Sequence, residues 1–170
     1  LYCKMLSEAV KEAKGIHTME DFETTIDLNM DAFIPDSYIS NEYQKLDIYK
    51  RIAGIETQQD YDDMLEELLD RFGEMPKAVM NLLSIARLKA LAHRCYVTEI
   101  KQIGRDMKIT LYENAKLNPV GFPALMQKYR RGLQFKNEQE PKILFTPEGS
   151  GNVLTALTDL LTELEQLVEE

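Results

Sequence analysis

Apolar residues recur at helical spacing through most of the first half of the chain and at alternating positions in parts of the second half. In the first half, this pattern predicts helices over residues 1–14, 41–53, 57–72 and 76–94, and a strand over residues 24–30. In the second half, it predicts strands over residues 97–103, 107–112, 132–136 and 142–146, with helices from residue 118 and over residues 150–170. We therefore predict an α+β fold, with a helical first half and a small, mainly antiparallel sheet with helices in the second half.

The helix over residues 57–72 carries signals at both of its ends. Thr57 and Asp60 have the spacing of a capping box, with Asp in place of the usual Glu or Gln. Gly73 is a natural C-terminal stop, and Pro76 suits the first turn of the following helix. The bounds of this helix are therefore well specified by local sequence.

Two further local signals mark ends and turns. Ser40 or Asn41 can cap the helix over residues 41–53, because both side chains can accept hydrogen bonds from the first turn. Residues 104–106, Gly-Arg-Asp, predict a hairpin between two strands.

The helix over residues 57–72 has two opposed stripes. Its apolar face is predicted to comprise Tyr61, Met64, Leu65, Leu68, Leu69 and Phe72. A turn of about 100° per residue places five acids in one row on the other side. This acidic row consists of Asp60, Asp63, Glu67, Asp70 and Glu74. Like charges three or four residues apart repel by up to about 0.5 kcal/mol per pair, so the row has a local cost.

Three interpretations of the acidic row stay open from the residues alone. It is a solvated face opposite a core face, a metal site, or a protein-docking face. Mg²⁺ and Ca²⁺ bind carboxylates, but a single helical row does not converge on one point, which disfavours a metal. In the docking interpretation, Glu67 and Asp70 accept paired hydrogen bonds from arginines of a partner.

The length of 170 residues fits one domain, or one domain with a terminal appendage. The formal net charge of −9 argues against a broad nucleic-acid-binding face and suits a basic protein partner. The chain has no apolar run near the ~20 residues of a membrane span and no visible secretory signal.

Other candidate groups are isolated or weakly patterned. Cys3 and Cys95 form no CxxC pair, and His17 and His93 have no second ligand at metal spacing. Residues 149–151, Gly-Ser-Gly, lack the Lys of a phosphate loop. The small basic cluster Lys128, Arg130 and Arg131 leaves a nucleic-acid module as a rival. An enzyme with a site assembled from scattered residues and a stand-alone interaction module with a solvated acidic helix also stay open.

Several motifs in a fixed order resemble bacterial transcription-repair coupling factors (Mfd), in their C-terminal domain. The motifs are Asp70-Arg-Phe-Gly73-x-x-Pro76, Leu46-x-x-Tyr49-Lys-Arg-Ile-Ala53, Leu83-x-Ile-Ala-Arg-Leu-Lys89, Ile34-Pro-Asp36-x-Tyr-Ile39 and Tyr2-x-x-Met-Leu-x-x-Ala-Val10. The resemblance is dense from the first residue to about Leu117 and looser beyond it. It implies that residues 1–15 are a helix continuing from an upstream translocase module and that residues 16–170 are a single regulatory domain.

The resemblance also implies a function. The domain would be an autoinhibitory clamp that docks on the N-terminal UvrB-like module of the same protein and covers the surface that UvrA needs. Glu67 and Asp70 match the docking carboxylates of the family, and Asp63 and Glu74 are flanking candidates. No catalytic, cofactor-binding or metal-binding residue is expected in this chain.

The activity implied for the parent protein lies upstream of this chain. There, an ATP-dependent DNA translocase that uses ATP and Mg²⁺ would bind DNA, displace stalled RNA polymerase and recruit nucleotide excision repair. The expected location is the bacterial cytoplasm, without membrane contact.

Overall fold

The computed structural model describes residues 22–129, 132–147 and 152–168. The described residues form two compact units, residues 29–90 and residues 22–28 with 91–168. The predicted helix over residues 1–14, its boundary with the following domain, and Cys3 and His17 lie outside the described residues.

The described chain holds five helices and five strands. The helices are α1 (Glu42–Ala53), α2 (Gln58–Phe72), α3 (Lys77–Arg94), α4 (Phe122–Tyr129) and α5 (Val153–Glu165). The strands are β1 (Thr25–Asp27), β2 (Val97–Ile103), β3 (Asp106–Leu111), β4 (Leu133–Lys136) and β5 (Lys142–Phe145). A 3₁₀ turn, Pro119–Gly121, leads into α4. The α+β class predicted from the sequence is confirmed.

The helices of the first unit begin where local capping allows. Asn41, not Ser40, caps α1, and its side chain accepts hydrogen bonds from the backbone N–H groups of Tyr43 and Gln44. Thr57 caps α2 in a complete capping box, in which the Asp60 carboxylate in turn accepts from the Thr57 backbone N–H at 3.2 Å. Both predicted helix starts are therefore confirmed.

The C-terminal end of α2 is fixed by a glycine and a tyrosine. Gly73 has φ 86° and ψ −161°, a conformation that side-chain-bearing residues rarely adopt. The Tyr38 hydroxyl lies 3.1 Å from the Leu68 carbonyl oxygen and 2.9 Å from that of Gly73, so it can donate to one of these terminal acceptors. Because the helix ends at Phe72, Glu74 lies beyond it, and its placement in the helical row is wrong.

The predicted apolar face of α2 is partly correct. Met64 and Leu68 are buried, Leu68 completely. Leu69 is 49% exposed, so its assignment to the core face is wrong. The buried arc of α2 centres on Leu68, and Leu69 lies about 100° farther around the helix, beyond the edge of that arc.

A five-stranded sheet organises the second unit, in the order β1-β2-β3-β5-β4. Strand β1 pairs parallel with β2, and all other neighbours are antiparallel. The hairpin between β2 and β3 turns through Gly104, which has φ 63°. One strand of the sheet, β1, lies in the first half of the chain ahead of α1, so the second half does not supply the whole sheet.

Helix α5 contributes five buried leucines to the core of the second unit. Its buried residues are Leu154, Leu157, Leu160, Leu161 and Leu164. The helix is shorter than the predicted residues 150–170, because Asn152 caps its start and regular structure ends at Glu165. Val168 instead forms an antiparallel bridge with Leu117.

No helix in the described parts of the chain combines the length and the apolar character needed to cross a membrane.

Candidate functional site

The acidic row separates into members with different surroundings. Asp60 is committed to the capping box of α2. Asp63 accepts a hydrogen bond from the side-chain amide of Gln59 at 2.7 Å. Glu67 and Asp70 lie on the last two turns of α2, three residues apart, as the sequence predicted. Only Glu74 leaves the helix, although it stays exposed beside its end.

Glu67 is held by two arginines of its own unit. The guanidinium of Arg51 on α1 donates to both carboxylate oxygens of Glu67 in a bidentate fork. Arg71 donates to Glu67 Oε2 at 2.9 Å from one turn farther along α2. Hydrogen bonds from Arg51, the larger effect, and from Arg71 lower the pKa of Glu67 from 4.5 to about 2.

This lowered pKa predicts a specific pH dependence of stability. A carboxylate whose pKa is lower in the folded state stabilises the fold above its unfolded pKa, and that contribution is lost as pH falls. We expect Glu67→Gln to reduce the fall in free energy of unfolding between pH 4.5 and about 2. Urea denaturation at a series of pH values measures this slope. The control is Glu66→Gln, whose exposed carboxylate makes no ion pair with a described residue. Equal slopes in both variants would contradict the assignment.

The Asp70 carboxylate, unlike that of Glu67, is available to form hydrogen bonds with a partner. Its side chain is exposed and makes no hydrogen bond or ion pair with any residue that the structure describes. Glu66 and the half-exposed Leu69 lie beside it on the same helix. The end of α2 therefore presents an unpaired carboxylate, a second acid and an apolar side chain to solvent.

Sequence reasoning missed the two arginines that neutralise Glu67. The contact of Arg71 with Glu67 could be predicted from the sequence, because residues four apart on a helix are neighbours. The contact of Arg51 with Glu67 could not be predicted from local sequence, since it depends on how α1 packs against α2. Glu66 was also missed, although its spacing from Asp63 and Asp70 puts it on the exposed side of α2.

The isolated cysteine and histidine have structural surroundings. The Cys95 thiol is buried and donates to the Leu161 carbonyl oxygen at 3.2 Å. Burial raises the pKa of Cys95 to about 12, which keeps the thiol protonated. The ring of His93 stacks on Phe22 with centroids 4.6 Å apart.

The structure adds little support to the rival interpretations as a nucleic-acid module or an enzyme. Lys128 pairs with Glu163, while Arg130 and Arg131 lie outside the described residues, as do residues 149–151. No group of three metal-ligating side chains occurs in the described segments. An open groove of about 770 Å³ lies on the second unit's sheet, lined by residues of mixed charge such as Glu99, Lys108 and Lys142.

Comparison with known proteins gives consistent matches. A family model described as "TRCF domain" matches residues 28–122. The protein named transcription-repair-coupling factor of Bacillus subtilis (strain 168) is 40% identical over 116 residues, which is 68% of this chain and 10% of that protein. The protein of the same name from Staphylococcus aureus (strain USA300) is 41% identical over 120 residues, 69% of this chain and 10% of that protein. The chain thus spans about a tenth of the length of these relatives.

A solved structure shares the fold. It is described as the crystal structure of the C-terminal domain of transcription-repair coupling factor, and it matches with a TM-score of 0.77. The alignment covers 86% of this chain and 94% of that structure, at 24% sequence identity.

Proposed function

Because the chain belongs to the TRCF domain family, we propose that it is the regulatory docking domain of a transcription-repair coupling factor. Its partner is the N-terminal UvrB-like module of the same protein, and docking covers the surface that UvrA needs. Glu67 and Asp70 face the partner, with Asp63 and Glu74 flanking them. The domain therefore has a role in transcription-coupled DNA repair through protein binding, without catalysis of its own.

The observation that carries this proposal is the state of Asp70. An exposed carboxylate without a partner among the described residues can form a new charge-assisted hydrogen bond at no internal cost. It lies on a helix that is capped at both ends, by Thr57 at the start and by Gly73 with Tyr38 at the end. A preorganised helix loses little conformational freedom on binding, so more of the contact energy appears as affinity.

The charge of the chain suits a basic partner surface. The formal net charge is −9, and part of it is concentrated on the exposed side of α2, where Asp63, Glu66 and Asp70 lie without an interleaved cation. Complementary charge raises the rate of encounter and fixes orientation more than it raises affinity. Leu69, half exposed on the same last turn of α2 as Asp70, supplies the apolar contact that a polar pair needs for partial desolvation.

The remaining activities belong, in this proposal, to the other nine tenths of the parent protein. There an ATP-dependent translocase with bound Mg²⁺ tracks DNA and displaces stalled RNA polymerase in the bacterial cytoplasm. Docking needs only a few kcal/mol to hold a closed state above about 99%. Such a clamp suppresses UvrA binding and still opens when an upstream conformational change opposes it.

Titration calorimetry of this chain with the isolated N-terminal module tests the proposal. We expect binding that is tighter at about 30 mM than at about 150 mM ionic strength, since exposed charge pairs are screened by salt. Purified UvrA added to the module should prevent binding of the chain, because both need one surface. Absence of binding at both ionic strengths, or simultaneous binding of UvrA and this chain, would contradict the proposal.

A further inference from the structure

The Glu67 carboxylate already holds a guanidinium group. Arg51 reaches from α1 and donates through two nitrogens to both oxygens of the carboxylate. This is the planar, bidentate arrangement that arginine forms with carboxylates and that the ammonium group of lysine cannot reproduce. The geometry of Glu67 is therefore that of a receptor for a guanidinium, with Arg51 as its present occupant.

The two carboxylates proposed for docking are consequently not equivalent. Asp70 is unpaired among the described residues, whereas Glu67 accepts from Arg51 and from Arg71. One carboxylate with two guanidinium groups carries a formal charge of about +1, which the charge of Asp47 on α1 partly offsets. Both oxygens of Glu67 already accept from Arg51 or Arg71, so a guanidinium brought by a partner gains full access only when one of these two leaves.

Arg51 is the occupant that can leave. The side chains of Arg51 and Arg71 are both 41% exposed and that of Glu67 is 29% exposed, so both contacts lie open to solvent and the difference between them is one of connection. Arg71 lies on the same helix as Glu67, four residues away, and its guanidinium lies 5.0 Å from the centroid of the Phe72 ring. The contact within α2 is thus local, while the contact with α1 joins two separate elements.

We propose that Arg51 is an internal competitor for the docking site, which occupies Glu67 until an arginine of the partner replaces it. This inference rests on the proposed docking function and narrows the partner group at Glu67 to a guanidinium. Exchange of one arginine for another leaves the number of charge-assisted bonds at Glu67 unchanged. Arg51 therefore lowers the affinity of docking, because the partner's arginine must replace it at Glu67. Asp70 forms an additional bond on docking.

The test compares two neutralising substitutions on adjacent residues of α1. Arg51→Gln removes the competitor and is expected to lower the dissociation constant for the N-terminal module by about twofold to fivefold, the range of an exposed ion pair. Lys50→Gln removes the same unit charge from an exposed side chain that makes no ion pair with a described residue. It reproduces the long-range effect of charge alone, so the gain specific to Arg51 is the difference between the two variants.

Two further variants separate the outcomes. In a Glu67→Gln background, Arg51→Gln should give no gain beyond that of Lys50→Gln, because the contested carboxylate is absent. Arg51→Lys keeps the positive charge but cannot form the bidentate pair with Glu67, so it should give part of the gain in affinity. Its circular dichroism spectrum should match that of the unsubstituted chain.

Equal affinity of Arg51→Gln and Lys50→Gln, or weaker binding by Arg51→Gln, would overturn the competitor role. Docking itself would still stand in that case if the unsubstituted chain binds and Asp70→Asn weakens binding. Failure of every variant to bind the module would overturn both.

Discussion

Glu67→Gln combined with Asp70→Asn is expected to weaken binding to the N-terminal UvrB-like module by about a hundredfold and to leave the chain folded. A partly desolvated charge-assisted hydrogen bond contributes roughly 1.5–3 kcal/mol, and every 1.4 kcal/mol is about a tenfold change in affinity. Asp70 supplies a full bond of this kind, and Glu67 supplies less, since Arg51 already occupies it. Calorimetry measures the affinity, and circular dichroism checks the fold.

The two single substitutions should weaken binding to different extents. Asp70→Asn should weaken binding more than Glu67→Gln, because Glu67 is already paired with Arg51 whereas Asp70 has no partner among the described residues. The control for total charge is Asp27→Asn with Glu140→Gln, which removes two exposed carboxylates of the second unit. Comparable loss of binding in this control would show that net charge, and not the end of α2, determines docking. Unfolding of the Glu67 and Asp70 variant would show that these residues are structural.

Leu68→Ala is expected to lower the free energy of unfolding by about 2–5 kcal/mol, the largest stability effect among residues near the site. Leu68 has no exposed surface, so the substitution removes buried methyl groups and leaves a cavity. Its neighbour provides a matched control. Leu69→Ala removes the same atoms from a side chain that is 49% exposed, and it should change stability by no more than about 0.5 kcal/mol.

Urea denaturation of both leucine variants measures this difference. The two substitutions should differ again in the docking assay, where Leu69→Ala should weaken binding without loss of stability, because the exposed leucine lies on the same last turn of α2 as Asp70. Similar stability loss in both variants would mean that the face assignment of α2 is wrong.

Local sequence determined most of the framework of α2. The capping box of Thr57 and Asp60 and the glycine at position 73 each act through groups within four residues, so their geometry follows from the sequence itself. The hairpin at Gly104 is another such case, because a two-residue turn needs a residue that tolerates positive φ. Helical periodicity and the family resemblance both indicate Glu67 and Asp70 as docking residues.

The same local information misjudged positions at the edge of a pattern. Leu69 fits an apolar stripe by spacing, but the width of the stripe that is buried depends on how much of α2 its neighbours cover. Glu74 fits the acidic row by rotation, but the helix stops at Phe72. The helical spacing of leucines as far as Leu167 predicts a final helix to residue 170, whereas α5 ends at Glu165.

The sequence by itself determined the class of the elements, the caps of the helices, the acidic side of α2 and the family of the chain. Only the tertiary structure decided that β1 joins the sheet beside β2, and that Arg51 occupies Glu67 while Asp70 has no partner in the described part of the chain. The physical reason is the separation, along the chain, of the residues that make contact. Caps, turns and helical rows arise from contacts within about one turn of the chain, but Arg51, one of the two partners of Glu67, lies 16 residues away on another helix. Such a contact exists only after packing has brought α1 and α2 together, and no local pattern encodes it.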